Sequence, residues 1–179
     1  MSKTKALIGL TLAVYLSPLI GVHGQQSNPK TAALTALDYA EIQQLYARYN
    51  YGSDTAADEG AMYARTFTPD GVVVIMPNTT IQGQKNLAEF IKRGNKGPTT
   101  IHHFTSNLLV EPSPEGATGS VYLLLATIGE NGQPSSVTGG GIYRDILVKT
   151  SEGWRFKKRT YFAANSRLDP NGSQSATPR

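Results

Sequence analysis

The chain has 179 residues, 39% of them hydrophobic and 17% charged, which describes a single globular domain rather than a disordered tail or a membrane bundle. It contains no cysteine, so disulfides, thiolate metal sites and thiol nucleophiles are excluded. The formal charge of +4 falls to +2 once Lys3 and Lys5 of a basic leader are set aside, a balance that speaks of solubility and not of a nucleic-acid partner.

The amino-terminal residues read as an export signal. A basic start, Met1 to Lys5, precedes an apolar run from Ala6 to Val22, and Val22-His23-Gly24 places small residues at the positions a signal peptidase requires before Gln25. The apolar run is short for a membrane span and is broken by Pro18. The expectation is a signal peptide over 1–24, cleavage, and a mature protein in the periplasm or outside the cell with no further membrane association.

Residues 25–36 are small and polar, a linker. Asp38 to Asn50 is an amphipathic helix, with Ile42, Leu45, Tyr46 and Tyr49 on one face, Asp38 as N-cap and Glu41 completing a capping box. Gly52 is expected to break that helix before a second helical segment from Thr55 to Phe67. Pro69-Asp70-Gly71 reads as a turn, Val72 to Met76 as a short strand, and Asn86 to Arg93 as a helix burying Leu87, Phe90 and Ile91. Four β-rich runs follow, Ile101 to Glu111, Gly119 to Ile128, Ser136 to Lys149 and Trp154 to Ala163, separated by clusters of Pro, Gly, Asn and Ser. Helices first and an antiparallel meander afterwards imply an α+β domain with the helices on one face of a curved sheet. The domain is bounded at 37–167, and 168–179 is small, polar and Pro/Gly-bearing, a disordered tail.

Beyond the leader only two histidines remain, His102 and His103. Neighbours on a strand point to opposite faces, so the two do not chelate one metal together, and no other cluster has ligand spacing. No metal and no cofactor are expected. His103, Thr105 and Asn107 share one face of their strand, and two readings stand side by side. Either this polar row lines a cavity, or it faces water while Phe104, Leu108 and Val110 form the core. Asp54 is equally double-valued: it caps the next helix, or its carboxylate holds one nitrogen of a histidine and steadies the ring when the other takes a proton. Gly139-Gly140-Gly141 lacks the spacing and the strand-to-helix context of a phosphate loop and reads as a bend or bulge. No Gly-x-Ser-x-Gly elbow is present. Lys157-Lys158-Arg159 reads as a solvated basic edge.

Several stretches, taken in order, resemble the SnoaL-like branch of the nuclear-transport-factor-2-like superfamily. They are Tyr39-Ala40-Glu41-Ile42-Gln43-Gln44-Leu45-Tyr46-Ala47-Arg48-Tyr49, then Asp54, then Phe67-Thr68-Pro69-Asp70-Gly71. His103-Phe104-Thr105-Ser106-Asn107, Tyr143-Arg144-Asp145 and Gly153-Trp154-Arg155-Phe156 with Arg159 continue the pattern. The resemblance implies a cone, a strongly curved antiparallel sheet closed by the amino-terminal helices around a deep, mostly apolar pocket. Similar members, among them scytalone dehydratase, hexachlorocyclohexane dehydrochlorinase and bile-acid 7α-dehydratase, perform eliminations with an Asp–His pair. Asp54 and His103 stand at the matching positions, and Tyr49 matches a tyrosine five residues before the aspartate. Their pocket arginine corresponds to Lys158 or Arg159, and their polar middle-strand groups find only Leu123, Leu124, Leu125 and Ala126 here, so no relative's substrate transfers.

The expected function is an exported, cofactor-independent lyase or isomerase acting on a small apolar molecule. His103 is the base, Asp54 orients it, and Tyr49 donates a hydrogen bond or a proton; Tyr46, Asn107 and Arg159 are expected around the substrate. The resemblance further implies a homodimer or homotrimer. The alternative is a non-catalytic protein that binds an apolar ligand in the same cone.

Overall fold

A computed structural model describes residues 32–95, 100–129 and 134–164. The expected signal peptide, most of the expected linker and the expected tail lie outside these residues.

The first helix, α1 (Ala36–Thr55), is longer at both ends than the sequence pattern suggests. It starts earlier because Thr35 is its N-cap, accepting from the Asp38 backbone N–H, while the Asp38 carboxylate accepts from the Thr35 backbone N–H at 2.9 Å. Asp38 is therefore the third residue of the capping box and not its cap, and Glu41 has no part in it. The same carboxylate also takes the Lys149 ammonium at 2.7 Å and the Trp154 indole N–H at 3.0 Å, tying the start of the helix to two strands. The Lys149 ammonium, with Thr35 and Trp154 adding to it, holds this carboxyl far below the usual carboxylate range.

Gly52 does not break α1. It lets the helix continue, because a Cβ there would lie 2.7 Å from the Tyr63 backbone nitrogen. The helix instead ends at Thr55, where Ala56 turns into the left-handed region and returns its N–H to the Gly52 carbonyl. A short 3-10 turn (Ala57–Gly60) and a single-turn helix, α2 (Ala61–Ala64), follow. Strand β1 (Phe67–Ile75) begins three residues after α2, so Phe67 is a strand residue and not the end of a helix. The expected turn at Pro69-Asp70-Gly71 is a bulge inside β1, where the pairing steps from Phe67↔Phe156 to Val72↔Lys158. A hairpin adds β2 (Thr79–Gln82), a strand the sequence pattern does not show, and α3 (Gln84–Gly94) buries Leu87 and Ile91 as expected, with Phe90 packed alongside.

The remaining strands, β3 (Thr100–Ser113), β4 (Gly116–Ile128), β5 (Ser136–Thr150) and β6 (Gly153–Ala163), form the expected meander. The complete sheet runs β2-β1-β6-β5-β4-β3. It is α+β and curved as expected, but not wholly antiparallel: β1 lies parallel to β6. Irregularities at Ser106/Leu109, Leu125/Ala126 and Ile146/Leu147 bend it, since each bulge adds local twist. The helices cover one face, where Ile42, Tyr46, Tyr49, Phe67, Leu147 and Phe156 form the middle of the core. Burying each of these side chains contributes on the order of 1.5–3 kcal/mol. On the opposite face Phe104, Tyr122 and Leu124 are more than half exposed. No helix among the described residues is long and apolar enough to cross a membrane.

Gly52→Ala sets two effects against each other. Alanine gains about 1 kcal/mol of helix propensity, whereas pushing α1 off the Tyr63 backbone costs about 1–3 kcal/mol. The steric term acts against backbone that has little room to yield, so the expected outcome is a net loss of about 1–2 kcal/mol, read as a lower urea midpoint.

Candidate active site

The long α1 brings the two candidate catalytic residues together. Asp54 sits in its last turn, where the helix dipole disfavours a carboxylate, and the edge strand β3 supplies compensating donors. The His103 backbone N–H donates to both Asp54 oxygens, at 3.1 and 3.2 Å, and ring Nδ1 stands 2.6 Å from Oδ1. Asp54 is thus a histidine partner and not a helix cap. A carboxylate only accepts, so Nδ1 carries the hydrogen, and in the neutral form of the ring the lone pair is on Nε2. Both side chains are largely withdrawn from water, 18% exposed for His103 and 15% for Asp54.

His103 belongs to the walls of two cavities. One, of about 310 Å³, is predominantly apolar and is bounded by Val73, Ile75, Phe90, Ile91, Leu123 and Leu125, with the phenols of Tyr49, Tyr63, Tyr143 and Tyr161 completing it. The other, of about 700 Å³, is a cleft between α1 and β3 with Asp54, Asn50, Thr105 and Asn107 along it. Both volumes fall in the range of small-molecule sites.

In the apolar cavity the Tyr63 hydroxyl approaches Tyr49, and Tyr49 approaches Tyr143, each at 3.5 Å, the outer limit of a hydrogen bond. Burial, reinforced by the neighbouring Tyr49, pushes the Tyr63 and Tyr143 phenols well up, so both stay protonated, Tyr63 donating to Tyr49 and Tyr143 accepting from it. The Tyr161 phenol is also raised by burial and donates to the Gly140 carbonyl at 2.8 Å. That contact requires the glycine run: a Cβ on Gly141 would lie 2.7 Å from the Tyr161 ring and 2.0 Å from the Phe162 carbonyl oxygen.

The structure separates the expected residues. His103 and Thr105 do share the inner face, with Leu125 and Leu123 as cross-strand neighbours, so the cavity reading of this row holds for these two. Asn107 leaves the row. It occupies a bulge with φ of 57°, exposed at the cleft, and Leu108 and Val110 take over the inner face beyond it. Tyr49 lines the apolar cavity, and Tyr46 lines the cleft with its hydroxyl bonded to Asp145.

Arg159, expected in the substrate pocket, is a lining residue of neither cavity. It points inward while Lys158 is exposed, because β6 is irregular between Phe156 and Lys158 and strict alternation from Trp154 is lost. Its guanidinium is fully buried, forked onto Asp145 with Nε at 2.8 Å and one terminal nitrogen at 2.7 Å, and lies about 4 Å from the ring centres of Tyr49, Tyr143 and Phe156. Burial works against the charge, but Asp145 more than offsets it and holds the arginine fully protonated. Sequence reasoning assigned no role to Asp145 or to Tyr63, Tyr143 and Tyr161. The available signal was Tyr143, Asp145 and Leu147 at alternate positions: a carboxylate in an otherwise apolar inward row demands a cation.

Among the described residues no group of three or more His, Asp or Glu side chains stands together as a metal cluster.

Breaking the Arg159–Asp145 pair leaves an uncompensated buried charge. Asp145→Ala is expected to lose about 3–5 kcal/mol of stability, whereas the double replacement Asp145→Leu with Arg159→Met is expected to lose markedly less. Denaturant titration of the two variants measures the difference.

No curated protein matches the chain. Among solved structures it is similar to a protein of unknown function from Mycobacterium tuberculosis, at 27% identity and a TM-score of 0.65, covering 78% of this chain and 84% of that one. It is also similar to ActVI-ORFA from Streptomyces coelicolor, at 21% identity and a TM-score of 0.65, covering 73% and 98%. A third is a protein from Catenulispora acidiphila in complex with S-DNPA, at 25% identity and a TM-score of 0.61, covering 71% and 95%. Residues 34–160, the whole of the helix-covered sheet but its last few residues, match the SnoaL-like domain, and the chain belongs to that family.

Proposed function

We propose that the protein is an exported, cofactor-independent lyase or isomerase that removes a proton from carbon in a small, largely apolar molecule. The observation that carries this reading is the 2.6 Å contact between Asp54 and His103 Nδ1, with His103 in the wall of an apolar cavity ringed by phenols. The C. acidiphila relative in complex with S-DNPA supports a ligand-holding role for this kind of domain.

In the proposed reaction His103 Nε2 takes the proton and forms the new N–H bond. The electron pair of the broken C–H bond then forms a double bond. In an elimination this expels an oxygen leaving group, which takes a proton from the Tyr49 hydroxyl; in an isomerisation it displaces the π pair of an existing double bond, and that pair takes the proton back from His103 at a different carbon. The Asp54 carboxylate faces the imidazolium across Nδ1 and offsets its charge, and the surrounding apolar side chains keep that attraction from being screened by water. A base placed this way contributes roughly 10²–10⁴ in rate, and the fit of the substrate supplies the remainder.

The test needs no knowledge of the natural substrate. 2-Tetralone, a bicyclic ketone with acidic α-hydrogens, is incubated with the protein in heavy water and followed by proton NMR. Exchange is expected to be accelerated by the native protein and slowed by about 10²–10⁴-fold in His103→Ala, with unchanged circular dichroism. Equal exchange rates for the two proteins refute the base. Tight binding of the ketone with no exchange in either protein makes this a ligand-binding member of the family instead.

Export is tested separately, by expressing the full chain in a secreting host and sequencing the product found outside the inner membrane. A mature terminus at Gln25 is expected, and cell-retained protein that still begins at Met1 refutes it.

A further inference from the structure

The cleft between α1 and β3 is not explained by the apolar cavity or by the Asp–His pair alone. It is larger than the cavity, about 700 against 310 Å³, and it lies on the other side of His103, the one residue lining both. Its chemistry is also different. Asn107 and Gln43 line it with carboxamides that make no hydrogen bond among the described residues, and Ser106 adds a hydroxyl. Tyr51, 68% exposed on α1, presents its ring at the margin. Neither lysine nor arginine lines it among the described residues, and its one carboxylate, Asp54, is committed to His103.

Asn107 is placed there by a specific device. Two residues of β3, Asn107 and Leu108, stand opposite one residue of β4, and Asn107 takes up the left-handed conformation with φ of 57°. Asparagine tolerates this region better than other side chains, and bulges of this kind re-aim a side chain beside a site. Without the bulge the residue would join the His103–Thr105 row and face inward.

Free carboxamides and hydroxyls beside an exposed ring, with no lysine or arginine among the described lining residues to hold a phosphate or carboxylate, match a neutral polyhydroxylated group. Hydroxyls pair with amide groups that both donate and accept, while the apolar C–H face of a sugar ring lies against an aromatic side chain. We infer that the substrate is a conjugate whose apolar ring system enters the tyrosine-lined cavity while a neutral, hydroxyl-rich group such as a glycosyl unit occupies the α1–β3 cleft. This rests on the reading of Asp54 and His103 as the reacting pair, and it extends that reading to the substrate class: the reacting carbon lies at the junction of the two halves.

The experiment compares two probes, 2-naphthol and 2-naphthyl β-D-glucopyranoside, by calorimetric titration of the full chain. The glucoside is expected to bind at least tenfold more tightly. Asn107→Gly, which keeps the left-handed backbone and removes only the carboxamide, and Tyr51→Ala, on the exposed side of α1, are each expected to bring the glucoside to within threefold of the naphthol while leaving naphthol binding unchanged. A glucoside that binds no better than naphthol, or not at all, overturns the inference, as does an advantage that survives both substitutions. The titration involves no proton transfer. A glucoside preference in a protein that fails the tetralone exchange therefore refutes the base and keeps the cleft, and the opposite pair of results keeps the base and refutes the cleft.

Discussion

The structure is organised around a charge that cannot be left alone. Arg159 lies wholly inside the domain, and its forked contact with Asp145 joins β6 to β5. The Tyr46 hydroxyl donates to the same carboxylate, and that third contact joins α1 to the pair. A buried ion pair is weak evidence for stability, since the desolvation cost is comparable with the attraction. Its value here is positional. A guanidinium fork tolerates little change in angle, so α1 is fixed in rotation at Tyr46. Asp54 lies eight residues on, about 12 Å along the helix. Burial and the Asp145 charge push the Tyr46 phenol well up, so it remains a donor to Asp145 at any pH the fold survives.

From that anchor the helix has to reach β3 without bending, and Gly52 makes this possible by letting the α2 backbone lie against it. What results at the far end is a carboxylate at the unfavourable pole of a helix, relieved by a backbone N–H and an imidazole from an edge strand. The arrangement is polarised by construction. Negative charge from Asp54 and from the helix terminus converges on the Nδ1 side of the His103 ring. The surrounding cavity holds phenols that burial keeps protonated, so the apolar side of the ring offers donors and no competing base.

How much of this was legible in the sequence follows from which rules the local backbone obeys. The inner face of α1 was read correctly because helical periodicity is undisturbed from Ile42 to Tyr49. The pairing of Asp54 with His103 rested on position within a family pattern, and it emerges in the structure with the expected geometry. The misreadings cluster where alternation fails. Arg159 and Lys158 could not be told apart because the irregularity in β6 shifts the inward parity between Phe156 and Arg159, and Asn107 was grouped with His103 because nothing in its neighbours announces a bulge. β2 was missed since four mostly exposed residues carry no apolar pattern. Gly52 was taken for a breaker because propensity disfavours it in a helix, and only the tertiary contact with Tyr63 reveals why a side chain is excluded.

The same irregularities that defeat alternation shape the two cavities. A sheet of ideal strands would keep His103, Thr105 and residue 107 in one inward row. One extra residue in β3 divides that row. His103 and Thr105 keep the inward row, Thr105 bonded to Asn50 of α1 along the cleft, while Asn107 is exposed at the cleft and Leu108 packs against the core behind it. In β5, meanwhile, the absence of a side chain at Gly141 lets the Tyr161 ring lie on the strand and complete the apolar wall. His103 then stands in the walls of both the apolar cavity and the cleft that carries the carboxamides. The division follows from where the backbone departs from regularity rather than from any unusual choice of residue at His103 itself.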